Sequence, residues 1–88
     1  MKPVVYILKS ELGKYYIGSS DNLERRLKQH KEGTTPSTKR MGKMELVFYQ
    51  SYQSLKDARS VEFKLKKLKR KDFIEKIIDE DFIKIMPR

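Results

Sequence analysis

Leu23, Arg26, Leu27 and His30 follow the i, i+3, i+4, i+7 spacing of one helix stripe. At about 100° per residue they share an arc of about 100°, so an arginine and a histidine face the same way as two leucines. Polar groups turned toward the interior of a small domain need a partner or a purpose. A second stripe, Leu55, Ala58, Val61, Leu65 and Leu68, carries Glu62 at its edge. A carboxylate there is half buried, and must be ionised and paired or bound to a metal. Tyr6 and Tyr16 add two phenol hydroxyls. These side chains meet the needs of phosphodiester cleavage: a base near the attacking water, positive charge on the developing phosphorane, a metal ligand, and a proton source for the leaving oxygen. Each also has a purely structural reading. Arg26 can snorkel to the rim while His30 ends the stripe. Glu62 can pair with Arg26 or a nearby lysine. Strand tyrosines usually pack with their polar tips at the surface.

The elements that must position these residues are readable in outline. Val4 to Leu8 is β-branched and aromatic and reads as a strand; Tyr15 to Gly18 reads as a second. The short turn Glu11–Lys14 between them implies an antiparallel hairpin. Tyr6 and Tyr16 then lie on neighbouring strands, but whether their rings share a face depends on a register the sequence does not reveal. Asp21, with Glu24 three residues on, resembles a capping box for a helix running to about Lys31, with Gly33 as its C-terminal cap. Gly33 to Lys43 reads as a mobile basic loop. Leu46 to Tyr52 is a third strand, a second helix begins at Ser54 and runs to about Leu68, and residues 71–79 have the apolar spacing of a third helix. The tail from Phe82 to Met86 alternates poorly and is left unassigned. The order β-β-α-β-α-α predicts an α+β fold, a small three-stranded antiparallel sheet flanked by helices.

Length and charge narrow the function. The 88 residues favour one domain spanning 1–88. There is no cysteine and a single histidine, which excludes disulfide staples, thiolate metal sites and a His-rich zinc site. No apolar run approaches the roughly 18–20 residues that span a bilayer, and the short Val4–Leu8 run is no signal peptide. The expectation is a soluble, cytoplasmic protein. Lys and Arg total 21 against 12 acids, a net charge of +9. Such a field favours a polyanionic partner, nucleic acid first and an anionic membrane surface second. Lys56, Arg59, Lys64, Lys66, Lys67, Lys69, Arg70 and Lys71 concentrate it on and after the second helix, where phosphate contacts would make binding steeply salt dependent.

The spacing of Val4-Val5-Tyr6, Tyr16-Ile17-Gly18-Ser19, Asp21-x-Leu23-Glu24-x-Arg26-Leu27-x-x-His30 and the later Glu62 resembles the GIY-YIG nuclease family, in particular its small stand-alone bacterial members. The resemblance runs from about Pro3 to Lys71. It implies a DNA endonuclease in which Tyr6 and Tyr16 take the family's two tyrosines, one of them or its bound water acting as base. It places Arg26 on the pentavalent phosphate, His30 near the nucleophile, and Gly18 where a side chain would crowd the site. Glu62 takes the position of the single carboxylate that binds one divalent metal, Mg²⁺ ahead of Mn²⁺. One carboxylate plus substrate phosphate suits magnesium, which keeps several waters. Lys39 and Arg40, with Lys66, Lys69 and Arg70, are candidate DNA contacts. Two departures stand out: the first motif reads Val-Val-Tyr where the family has Gly-Ile-Tyr, and no asparagine follows Asn22. The competing readings are a non-catalytic or weakly catalytic nucleic-acid-binding module and, more distantly, a structural domain whose charge only keeps it soluble.

Overall fold

The computed structural model describes residues 2–31, 44–68 and 70–84, the side chains of His30 and Lys31 excepted. Strands β1 (Val4–Ser10), β2 (Tyr15–Ser20) and β3 (Met44–Ser51) form an antiparallel sheet in the order β2-β1-β3. Helix α1 (Leu23–Lys31) lies between β2 and β3 in the chain; α2 (Leu55–Leu68) and α3 (Lys71–Glu80) follow β3. The α+β architecture and its element order are as the sequence predicts, with longer strands.

The apolar run of β1 makes it the central strand, buried on both faces. Its even residues Val4, Tyr6 and Leu8 pack with Tyr16, Leu23, Leu27, Met44 and Leu46, so α1 covers that face. Its odd residues Val5 and Ile7 pack with Ile17, Phe48, Ala58, Val61, Leu65, Ile77 and Ile83, so α2 and α3 cover the other. A bulge in β3 leaves Val47 unopposed, because Ile7 pairs with Phe48 and Leu8 with Leu46.

The hairpin turn is locally specified. Ser10 Oγ accepts from the Leu12 and Lys14 backbone N–H groups, and Gly13 holds φ +81°, a conformation that favours glycine. Helix α1 starts one residue later than its sequence suggests. Asn22, not Asp21, is the cap: its Oδ1 accepts from Arg25 N–H at 3.1 Å. Asp21 instead forms an exposed pair with Arg25, so the expected Asp21/Glu24 box does not form. Ser54 caps α2 through Asp57 N–H. The apolar stripe of α2 is buried at Ala58, Val61 and Leu65 but frays at Leu68, which is 43% exposed. After α3, Asp81 adopts a left-handed conformation. The chain then returns, and Ile83 is buried with its N–H donating to Gln50 Oε1. Part of the unassigned tail is therefore core.

Candidate active site

Strand register settles what the sequence leaves open about the tyrosines. Tyr6 pairs with Gly18 and Leu8 with Tyr16. Cross-strand partners point to the same face, so Tyr6 and Tyr16 are diagonal neighbours under α1. Their ring centroids are 6.4 Å apart. The Tyr6 ring lies across Gly18: a Cβ there would come within 2.5 Å of Tyr6 Oη and 2.6 Å of Cζ. Glycine at 18 is thus required by Tyr6. Because the ring is wholly buried, Gly18→Ala is expected to cost about 1–3 kcal/mol of stability. Denaturant unfolding should show that cost falling in a Tyr6→Leu background; an unchanged cost would mean another clash.

The helix stripe delivers Arg26 to the same place. Its Nε donates to Tyr6 Oη at 3.3 Å and its Nη1 to Gln29 Oε1 at 3.2 Å. The hydrogen bond to Tyr6 is the largest influence holding Arg26 protonated. Tyr16 acts on it in the same direction. Half-buried Arg26 therefore does not simply snorkel; two side chains orient its fork.

Tyr6 departs from the surface-tipped packing expected of a strand tyrosine. It is 0% exposed. Burial pushes its pKa up to about 12, against which the Arg26 hydrogen bond pulls down; the Tyr16 and Glu62 charges raise it further. Tyr6 is therefore a phenol at neutral pH. A group whose folded pKa is raised adds stability that is complete below its unfolded pKa near 10. That contribution is lost as pH rises through about 12. Phenolate absorbance should accordingly show a late titration step near pH 12 that Tyr6→Phe removes, and unfolding titrations should show stability falling above about pH 10. A Tyr6 step at the ordinary tyrosine pKa would contradict this geometry.

Glu62 reaches the site from the other layer. Ser19 alternates with Gly18, so its hydroxyl points toward α2 and donates to Glu62 Oε1. Lys66, one turn along α2, donates to Glu62 Oε2 at 2.7 Å and sets its ammonium 5.7 Å from the Tyr16 ring centroid. The β2 edge thus joins both faces: Tyr6 and Arg26 lie on one side, Ser19 and Glu62 on the other, with Tyr16 and Lys66 between. The salt bridge anticipated for Glu62 exists, with Lys66 as partner. The motif Tyr16-Ile17-Gly18-Ser19 by itself gives Ser19 no role; strand alternation beside Gly18 is the signal in the sequence that points to it.

The donor set bears on a metal. The Glu62 side chain is 20% exposed, so an ion can reach it. Among the described residues no three His, Cys, Asp or Glu side chains gather to enclose an ion. One accessible carboxylate suits a hard cation that brings its own oxygens, as magnesium does.

His30 belongs to α1, but its side chain is outside the description; Lys39, Arg40 and Lys69 lie outside the described residues, as do Gly33 and the whole basic loop. Arg70 is at the α2–α3 junction, bonded to Asp72 at 2.7 and 3.3 Å. Among the described residues, no helix is long and apolar enough to cross a membrane.

Comparison with known proteins agrees with this architecture. Residues 2–77 match the model of the GIY-YIG catalytic domain. The chain is 35% identical over 74 residues to the UPF0213 protein CPE1444 of Clostridium perfringens, covering 83% of this chain and 80% of that one. It is 33% identical over 67 residues to the UPF0213 protein YazA of Bacillus subtilis, covering 75% and 68%. The solution structure of the UPF0213 protein BH0048 from Bacillus halodurans superposes with a TM-score of 0.58 at 28% identity, over 92% of this chain and 87% of that one.

Proposed function

We propose, from the premise that this chain belongs to the GIY-YIG catalytic-domain family, that it is a metal-dependent endonuclease hydrolysing phosphodiester bonds in DNA. The observation that carries this reading is the meeting of Tyr6, Tyr16, Arg26 and Glu62 beside strand β2, from two strands and two helices far apart in the chain.

Glu62 is the residue that would hold the divalent ion, with Ser19 fixing Oε1. When bound, such an ion supplies Lewis-acid charge to the phosphoryl oxygens and acidifies a water. Lys66 occupies Oε2 as a resident cation, but a half-exposed pair is worth little and yields readily to a divalent charge. Arg26, oriented by Tyr6 and Gln29, presents fixed positive charge to the phosphorane oxygens as negative charge develops there. In hydrolysis, a water oxygen adds to phosphorus as the water's proton passes to the base, and the P–O bond to the leaving sugar oxygen breaks as that oxygen takes up a proton from a solvent water.

The two tyrosines divide the work. Tyr6, wholly buried with a pKa near 12, keeps its proton at neutral pH and positions Arg26. Tyr16 is half-buried and flanked by the Lys66 ammonium, so it is the tyrosine that meets the attacking water. His30, on the same stripe as Arg26, remains a candidate for the proton traffic around the nucleophile.

The test is incubation of labelled duplex, nicked, branched and single-stranded DNAs with Mg²⁺ or Mn²⁺, beside a chelated control. Metal-dependent product supports the endonuclease. Salt-sensitive DNA retention without product at any metal concentration would instead select the non-catalytic binding module, which the basic face of α2 favours.

A further inference from the structure

Phe63 is a residue the fold does not explain. It sits in the middle of α2 yet is 66% exposed. The helix makes its core contacts through Ala58, Val61 and Leu65, and at about 100° per residue Phe63 projects away from all three. Phenylalanine is no better than a middling helix former, so neither burial nor propensity accounts for it. Among the described residues it makes no aromatic or cation–π contact.

Its exposed neighbours on the helix face are cations. Lys56, Arg59, Lys66 and Lys67 are all exposed and share with Phe63 an arc of about 100° on the helix. Asp57 and Glu62 lie outside that arc. The stripe is also continuous with the candidate active site, because Lys66 touches both Glu62 and the Tyr16 ring. Cations that track phosphates around a ring on which a base can stack are the composition of a single-strand binding surface. A second copy of this chain is a poor occupant, since it would set four cations against four.

We propose that the solvent face of α2 binds a single-stranded stretch of nucleic acid, with Phe63 as the stacking platform for one unpaired base beside the phosphate presented to Tyr16 and Arg26. The proposal rests on the nuclease reading for its ligand class. It adds that the substrate offers an unpaired base near the scissile bond, as single strands, flaps and frayed junctions do and continuous duplex does not.

The chain has no tryptophan, so Phe63→Trp places one fluorophore on the platform. The full chain is titrated in chelator, where no cleavage intervenes, with oligothymidylate and with inorganic polyphosphate. Oligothymidylate should change the tryptophan emission saturably, and polyphosphate should bind without that change. Phe63→Ala should bind oligothymidylate about tenfold more weakly, Phe63→Tyr should restore it, and polyphosphate affinity should not move. If Phe63→Ala binds oligothymidylate as tightly as wild type, the platform is refuted and the nuclease reading stands. If the wild type binds no nucleic acid even at low salt, both fall. If Phe63→Ala instead turns a dimer into a monomer with binding unchanged, the face is a self-interface and the proposal fails.

Discussion

Glu62→Gln should lower metal-dependent cleavage to below about a thousandth of wild type while the protein stays folded and still retains DNA. A divalent ion stabilises transition-state charge by several kcal/mol, and each 1.36 kcal/mol is tenfold in rate, so losing its anchor costs about three decades. Glutamine keeps the size of the side chain and an oxygen for the Ser19 hydroxyl; it removes the charge that holds a cation. The fold has little to lose, since the Glu62–Lys66 pair is half exposed at the lysine and flanks a core made elsewhere. Single-turnover cleavage across a metal titration checks this. Activity within tenfold of wild type, or rescue by more metal to the full rate, would remove Glu62 from the mechanism.

Arg26→Lys should reduce cleavage by about 100- to 1000-fold with nucleic-acid affinity changed only a few fold. The charge survives this substitution, but the planar fork does not. An ammonium that bonded both Tyr6 and Gln29 would have a single donor left and no planar fork to aim at the phosphorane. Removing one preorganised transition-state donor costs about 10²–10³ in rate. Retention of DNA would separate this loss from simple loss of charge, because the remaining basic surface still carries binding. A lysine variant as active as wild type would show that Arg26 acts only as a positive charge.

The elements themselves were legible because their local rules agree. The β-branched run of β1, the helix stripes of α1 and α2, and the turn at Glu11–Lys14 each predict the structure that forms. The candidate site was legible for the opposite reason: Arg26 and Glu62 break those stripes, and the resemblance to the GIY-YIG family attached chemistry to the breaks. What stayed hidden depends on long-range geometry. That Tyr6 and Tyr16 share a face follows from a register that pairs Tyr6 with Gly18. Full burial of Tyr6 needs α1 laid over that face. The Ser19–Glu62 bond spans 43 residues and joins two layers, and Ile83 is captured by Gln50 across 33. The cap of α1 fell on Asn22 because Asp21 and Asn22 are both good caps and only the backbone path chooses between them.

The proposed mechanism turns on one carboxylate, Glu62, anchoring a divalent ion beside Tyr16 and Arg26. An 88-residue chain is well suited to solution NMR, and Mn²⁺ broadens signals near the place it binds. Substoichiometric Mn²⁺ should broaden the amide signals of Gly18, Ser19, Glu62 and Lys66 first, and Glu62→Gln should abolish that pattern while leaving the spectrum otherwise intact. Broadening that persists unchanged in the variant, or that centres on another surface of the protein, would contradict this mechanism.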